Sequence, residues 1–279
     1  MAGQKRIALI NDITGFGRCS VTVQHPLISA LRVQACPLPT AILSVHTGFP
    51  NHYIDDYTDR MRPYMENWCA NGLTFDAILT GFLGSEAQIE IVLDCVHAFK
   101  NEETIVIVDP VMGDNGTLYA SYTPALCEKM RQLLPYAEVV TPNLTEACLL
   151  LGRTYPVDGQ AEDAVLEEMA AQIAAMGPRD VVITGLHAGD KVKTYLYENG
   201  SGQSFANPKI GRDRSGSGDA FAAILAASLV NDVSLAAGAR RAAEFIGHCL
   251  AYAEELDLPW NYGLPFEAFM DELTAPKVL

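Results

Sequence analysis

Three features of the sequence predict an α/β fold with a mostly parallel central sheet. Short β-rich runs alternate with longer helical patterns along the chain, the arrangement of repeated βαβ units. The runs Ile105-Val106-Ile107-Val108 and Val181-Val182-Ile183 are apolar throughout, as strands buried on both faces are. With 279 residues, of which 49% are hydrophobic and 19% charged, the chain is long and apolar enough to build a large core. No internal repeat or low-complexity linker interrupts it, so residues 1–279 read as one domain.

Strands are predicted over 6–10, 76–80, 104–109, 138–141, 180–184 and 193–197. Helices are predicted over 21–32, 54–71, 85–100, 124–134, 144–151, 161–176, 218–230, 235–256 and 265–273. Asn143, followed three residues later by Glu146, marks the start of the helix over 144–151 as a capping box. The apolar run Ala220 to Leu225 behind a Gly-rich loop marks the helix over 218–230. Asn199-Gly200-Ser201-Gly202 reads as a hairpin turn after the strand over 193–197. Ligands of such sheets bind beyond the carboxyl ends of the strands. There the sequence places Asn11-Asp12, Thr80-Gly81, Asp109-Pro110, Thr141-Pro142-Asn143 and Thr184-Gly185.

Composition excludes several function classes. Lys and Arg number 19 against 34 Asp and Glu, a net charge of −15, which argues against nucleic acid or an anionic membrane surface as a partner. The longest apolar stretch, Ala220 to Val230, is too short to span a bilayer, and the N-terminal run Ile7 to Ile10 is too short for a signal peptide. Seven scattered cysteines without a C-x-x-C pair suit a reduced, cytoplasmic protein. There is no P-loop motif, no H-E-x-x-H, no G-x-S-x-G, and no zinc-ligand spacing among six histidines.

Four constellations carry chemistry. Ser215-Gly216-Ser217-Gly218-Asp219 sets a Gly-rich turn at a helix N-terminus, where backbone amides can cradle a phosphoryl group and Asp219 can accept a proton from an attacking hydroxyl. The plain alternative is an ordinary loop whose first-turn Asp complements the helix dipole. In Thr141-Pro142-Asn143-Leu144-Thr145-Glu146, the cap residues share a helix mouth where Glu146 could hold water on a nucleotide-bound Mg²⁺, though capping alone also explains them. Asp109 ends an apolar strand, where a carboxylate is costly without a partner, and Asp114 follows in a turn-rich loop; together they could flank a metal–phosphate complex or simply form turns. Asp12 opens a segment, Gly15-x-Gly17-x-x-Ser20, that nearly fits a dinucleotide fingerprint, but no acid lies between Ser20 and His52 to bind a ribose.

Taken in order, His46-Thr47-Gly48-Phe49, Thr80-Gly81-Phe82-Leu83-Gly84-Ser85, Asp109-Pro110-Val111-Met112-Gly113-Asp114, Thr141 to Ala147 and Gly216-Ser217-Gly218-Asp219 resemble the pyridoxal/pyridoxamine kinases of the ribokinase-like superfamily. The resemblance covers Ile10 to about Leu250. It implies a three-layer α/β/α fold and ATP-dependent phosphorylation of the 5′-hydroxymethyl group of a vitamin B6 vitamer. It also implies a catalytic Asp219, amides of Gly216, Ser217 and Gly218 that hold the transferring phosphate, and His46 and Thr47 bordering the pyridine ring. Asn143 and Glu146 would organise nucleotide and Mg²⁺, with Asp109 and Asp114 nearby and Thr184 facing the phosphates; Asp109 and Glu146 are the expected metal residues. A homodimer is implied, and often a monovalent cation such as K⁺.

The chain departs from that family at identifiable places. Asp12–Ser20 resembles the Asp-x-Ser-Gly start of hydroxymethylpyrimidine kinases, Phe82 stands where many pyridoxal kinases have Tyr, and Ser217 replaces a commoner Thr. The stretch from Leu186 to Arg214 leaves room only for a small phosphate cover. From the Asp12 difference we expect this carboxylate to accept a hydrogen bond from a substrate amine, favouring pyridoxamine or an aminopyrimidine. The competing readings are hydroxymethylpyrimidine (phosphate) kinase and a non-catalytic vitamer-binding protein.

Overall fold

Ile7, Ala8, Leu9 and Ile10 are wholly buried, and this continuous apolar run makes the first strand an interior strand of its sheet. The computed structural model describes residues 3–274. In chain order the elements are β1 (Arg6–Phe16), α1 (Val21–Ala30), β2 (Gln34–Val45), β3 (Ile54–Asp56), α2 (Thr58–Ala70), β4 (Ala77–Thr80), α3 (Glu86–Phe99), β5 (Ile105–Val108), β6 (Gly113–Asp114), β7 (Thr117–Leu118), α4 (Pro124–Met130), β8 (Val139–Val140), α5 (Leu144–Leu151), α6 (Asp163–Ala174), β9 (Asp180–Ala188), β10 (Lys191–Glu198), β11 (Ser201–Pro208), α7 (Ser217–Val230), α8 (Leu235–Glu255) and α9 (Met270–Thr274). The architecture is the expected three-layer α/β fold with a mostly parallel central sheet. Among the described residues no helix is long and apolar enough to cross a membrane.

The chain divides into two compact units, Met1–Leu79 with Ile210–Leu279, and Thr80–Lys209. In the first, the strand order is β4-β1-β2-β3. β1 and β2 run parallel from Arg6 opposite Gln34 to Phe16 opposite Val45, and the register slips between Asn11 and Ile13. That slip re-aims the side chain between them, Asp12, as irregularities in a ladder do. β3 pairs antiparallel with Ala41–Leu43. α7 is buried at every position from Ala220 to Ser228 and packs on α1 and α8. Its alanines allow that close approach.

In the second unit the order is β5-β8-β9-β10-β11. β5, β8 and β9 are parallel, with Val139 opposite both Ile107 and Asp180. β9, β10 and β11 form an antiparallel extension. β6 and β7 make a small hairpin turning at Asn115 and Gly116, both at positive φ, as a two-residue hairpin loop requires.

Several boundaries differ from the sequence expectation. β1 continues to Phe16, so Gly15 lies inside a strand and the dinucleotide-like spacing forms no tight turn of that kind. Residues 34–45 are a strand that was not expected, and 54–56 are strand rather than helix; α2 starts at Thr58, whose amide is held by Asp56 Oδ1 at 2.7 Å. The helix expected over 124–134 tightens to a 3₁₀ turn from Arg131, and 265–273 is a 3₁₀ turn, Phe266–Phe269, followed by α9. The hairpin turn falls at Asn199-Gly200, and 201–208 pair as β11.

Candidate active site

The sequence-predicted residues fall into two clusters, one in each unit. In the first unit, the loop before α7 is fastened from below. Arg214 is buried, and its guanidinium donates to the carbonyls of Leu258 and Pro259 at 2.9 and 3.1 Å and to Glu254 Oε1 at 2.9 Å. Ser217 Oγ donates to the Arg214 carbonyl at 2.9 Å. Gly216 has φ +82°, and a Cβ built on it would overlap the Arg18 carbonyl oxygen, so only glycine fits. A Cβ on Gly218 would meet nothing within 4 Å. The amides of Gly218 and Asp219 have no backbone acceptor among the described residues, which leaves two uncommitted donors at the positive end of α7.

Asp219 sits in the first turn of α7. Its Oδ1 accepts from Asn11 Nδ2 at 3.0 Å and its Oδ2 from the Ser20 amide at 2.8 Å. Asn11 is itself fixed, since its Nδ2 also donates to Gln24 Oε1 at 2.9 Å and its Oδ1 accepts the Asp12 amide at 2.9 Å. The helix start by itself favours ionised Asp219. Burial acts the other way, and with the Asp12 carboxylate it pushes Asp219 up to about 6 despite the bonds from Ser20 and Asn11. Asp219 is still mostly ionised at neutral pH.

Asp12 is buried, and both its oxygens are engaged: Oδ1 accepts from Ser20 Oγ at 2.5 Å and Oδ2 from Thr14 Oγ1 at 2.7 Å. Desolvation raises its pKa in spite of these bonds. The buried Cys19 thiol lies against the same two carboxylates, and burial followed by their charge pushes its pKa far up. His46 is buried, its Nδ1 accepting the Gly48 amide at 3.0 Å and its Nε2 meeting the Asn261 carbonyl at 2.8 Å. Because an amide only donates and a carbonyl only accepts, this pair of contacts assigns the proton to Nε2. Thr47 is exposed next to it. Phe16, Phe49, Trp260 and Tyr262 surround this region, with Phe16 edge-on to Tyr262 at 4.9 Å and His46 edge-on to Phe49 at 4.9 Å.

In the second unit, α5 opens with the predicted capping box. Asn143 Oδ1 accepts the Glu146 amide at 2.9 Å, and Glu146 Oε2 accepts the Asn143 amide at 2.8 Å. Glu146 does more than cap: its Oε1 accepts the Met112 amide at 3.2 Å, and Asn143 Nδ2 donates to the Gly113 carbonyl at 2.8 Å. The cap thereby docks the segment that follows Asp109. Burial first, then the neighbouring Asp109 charge, raises Glu146 well above the usual carboxylate range. Asp109 is buried at the end of β5, its amide donating to the Thr80 carbonyl at 3.3 Å. Asp114 is exposed in the β6–β7 hairpin, its oxygens accepting from Asn115. Thr184 is half-buried, bridging to Asn143, with its amide on the Pro142 carbonyl at 3.0 Å. Phe82 is half-buried and edge-on to Tyr122 at 5.9 Å.

Mg²⁺ fits the donors of this second cluster. The hydroxyls of Thr80 and Thr141, at the ends of the strands beside Asp109, are buried without partners, and burial first, then the Asp109 charge, raises the pKa of Glu146. Hard oxygen donors beside two neighbouring carboxyl groups suit a hydrated divalent cation carried with phosphates. Among the described residues no group of three His, Cys, Asp or Glu side chains forms a cage of its own.

Sequence reasoning missed Asn11, Ser20, Gln24, Arg214 and the Trp260–Tyr262 aromatics as parts of the site. Asn11 and Ser20 lay in segments already singled out. Trp260 and Tyr262 carry no motif, and only the fold brings them to His46.

The family model for phosphomethylpyrimidine kinase matches residues 28–261. A crystal structure of a candidate phosphomethylpyrimidine kinase from Bacteroides thetaiotaomicron, in a form with pyridoxal, superposes with a TM-score of 0.94 at 34% identity, covering 99% of this chain and 98% of that one. An ADP complex of Bacillus subtilis pyridoxal kinase gives a TM-score of 0.76 at 25% identity, covering 89% of this chain and 92% of that one. Pyridoxal kinase of Granulibacter bethesdensis is 33% identical over 156 residues, 53% of this chain and 54% of that protein, so the chain spans about half the length of this curated relative.

Proposed function

The chain belongs to the phosphomethylpyrimidine kinase family, and on that premise we propose that it is an ATP-dependent kinase of a vitamin B6 vitamer. It would transfer the terminal phosphoryl group to the 5′-hydroxymethyl group of pyridoxal, pyridoxamine or pyridoxine. The observation that carries this reading is the Asp219 carboxylate, fixed by Asn11 and Ser20 beside two uncommitted amides at the start of α7.

Asp219 takes the proton of the attacking hydroxyl as the oxygen–phosphorus bond forms. The amides of Gly218 and Asp219, with the loop Gly216–Ser217, stabilise charge on the phosphoryl oxygens, and the α7 dipole reinforces them. Arg214 and the Gly216–Arg18 contact keep these donors in place before substrate arrives, so little reorganisation is needed. His46 with its fixed tautomer, Thr47 and the ring cluster around Phe16 border a flat heteroaromatic ring. Asn143, Thr184 and Asp114 serve the nucleotide. Asp109 and Glu146 would hold Mg²⁺ directly or through water, and the ion supplies neutralisation of phosphate charge that a protein of net charge −15 lacks. We extend the proposal to a monovalent cation, K⁺, and to a homodimer in the cytoplasm. Seven unpaired cysteines support a reducing compartment, and exposed Ile42, Tyr53 and Ile54 give an assembly an apolar face.

The test is ATP consumption with Mg²⁺ and K⁺ against pyridoxal, pyridoxamine, pyridoxine and hydroxymethylpyrimidine in parallel, with Asp219→Asn as control. Turnover of a B6 vitamer that falls at least ~10²-fold in the variant is expected. A second reading, hydroxymethylpyrimidine (phosphate) kinase, draws on the Asp12-x-Thr14-Gly15 start and on the family description itself. Turnover of the pyrimidine alone selects it. Binding of a vitamer without turnover would leave a vitamer-binding protein.

A further inference from the structure

We infer that Ser20 and Asp12 are positioning residues for the Asp219 carboxylate, acting as a hydrogen-bonded relay from Asp12 through Ser20 to Asp219. The inference rests on the base role proposed for Asp219. It assigns Asp12 a task inside the protein, where the sequence suggested a contact with a substrate amine.

Ser20 stands at the N-cap of α1, a place where a serine hydroxyl ordinarily accepts an amide of the first turn. Here it makes no such bond. Its Oγ donates instead to Asp12 Oδ1 at 2.5 Å, and its amide donates to Asp219 Oδ2 at 2.8 Å. Its backbone carries φ +56° and ψ −140°, a conformation that residues other than glycine rarely adopt. A serine kept in such a conformation, with its capping bond forgone and both donors committed to buried carboxylates, is over-determined by its surroundings. Strain of that kind marks a site where geometry matters to function. Neither end of the relay is loose. Asp12 projects from the register slip in β1 and is braced on its other oxygen by Thr14, while Asp219 is braced on its other oxygen by Asn11. The anchor on Asp12 therefore fixes where the Ser20 amide points, and the amide fixes the rotamer of Asp219.

Three substitutions separate positioning from mere stability. Ser20→Gly adopts the observed backbone without strain and keeps the amide, so it removes only the anchor. We expect relief of backbone strain to offset the lost bond to Asp12, so that the melting temperature stays within a few degrees of wild type, while kcat falls between about 10- and 10²-fold, the scale of a small misplacement of a reacting group, with KM for ATP within about two-fold. Asp12→Asn keeps an acceptor for the Ser20 hydroxyl and should lose less kcat than Asp12→Ala. A second readout needs no substrate: the ¹³C resonance of the Asp219 carboxyl, followed against pH. Its charged or titratable neighbours are Asp12 and Cys19, with Asn11 and Ser20 as donors, and His46 acts on Asp12. A looser Ser20 amide stabilises the carboxylate less, so the midpoint in Ser20→Gly should move upward from that of wild type. Unchanged kcat together with an unchanged midpoint would overturn the relay. If wild type phosphorylates none of the four substrates, the kinase reading fails, and the resonance still decides the relay. If Ser20→Gly does not fold, the ordering of Asp12→Asn above Asp12→Ala decides it, and equal losses count against it.

Discussion

Gly216 is seated on the backbone of Arg18 so closely that a Cβ would overlap the Arg18 carbonyl oxygen, whereas Gly218, two residues on, faces open space. The two glycines of one motif therefore answer to different demands. Gly216→Ala must strain a left-handed residue and displace a backbone, which should cost about 2 kcal/mol or more. Gly218→Ala gains helix propensity, up to ~1 kcal/mol, and should melt at or above the wild-type temperature. Yet its methyl stands beside the uncommitted amides, so KM for ATP should rise about ten-fold, while Gly216→Ala loses stability and activity together. Calorimetry and steady-state kinetics on both variants check the split. An unaltered KM in Gly218→Ala would remove this helix start from the phosphate site.

The upward shift of Asp219 to about 6 fixes the sign of two pH effects. A base must be ionised, so kcat/KM should be flat above neutrality and fall below pH 6, approaching ten-fold per unit. Stability runs the opposite way. A carboxylate whose folded pKa lies above its unfolded value binds protons more tightly in the folded state, so the native protein loses stability as pH rises from about 4 to 6. Allowing for the partial exposure of Asp219, this amounts to about 1–2 kcal/mol. Asp12 and Glu146 are shifted in the same direction and add to the trend. Denaturant midpoints at pH 5 and pH 7.5, with the lower pH more stable, would accord with it. A protein more stable at pH 7.5 would not.

The legible parts of the fold were those where local pattern and tertiary role coincide. Ile105–Val108 is apolar because it is buried on both sides, and the Asn143–Glu146 spacing is a capping box in the structure as in the sequence. β2 was illegible because Pro37 and Pro39 argue against an interior strand. The structure tolerates them because β3 covers only Ala41–Leu43, leaving the proline stretch unpaired on that side. The first turn of α2 was blurred by Ile54, an apolar residue in helical phase that belongs to an edge strand. In the site, the motif residues were visible but their partnerships were not. Ser20 and Asp219 lie 199 residues apart, and no spacing rule reports a hydrogen bond across such a distance. Ser20 stands just before α1, and only the structure shows its hydroxyl committed to Asp12 and not to the first turn of the helix.

Glu146 gives the metal proposal its own pH signature. Its carboxyl is buried and lies near Asp109, and burial first, then that charge, raises its pKa, so rising pH favours the charged form that a cation binds. Mg²⁺ should therefore raise the melting temperature more at pH 8 than at pH 6. Glu146→Gln keeps an acceptor for the Asn143 amide, as glutamine does in a capping box, at the loss of the Met112 bond, and should keep α5 formed while abolishing the pH-dependent part of the Mg²⁺ effect. The Mg²⁺ requirement for ATP turnover should rise in the variant. Equal stabilisation at both pH values in both proteins would leave Glu146 as a cap and nothing more.

Cys19 lies next to Ser20 and near the carboxylates of Asp12 and Asp219, in the segment we propose for the substrate, and its environment argues that it does not react. A thiol attacks as thiolate, and here burial first, then the charges of Asp219 and Asp12, disfavour that form strongly. Cys69, by contrast, is exposed at the end of α2. Iodoacetamide at neutral pH, followed by peptide mass analysis, should modify Cys69 first and leave Cys19 unmodified in the folded protein. Cys19→Ser should keep the vitamer ranking of wild type, because no covalent adduct to the aldehyde contributes to binding. Alkylation of Cys19 at a rate similar to Cys69, blocked by pyridoxal but not by pyridoxamine, would instead place a reactive thiolate in the substrate loop, and the charge pair of Asp12 and Asp219 would then have to be largely protonated in the resting protein.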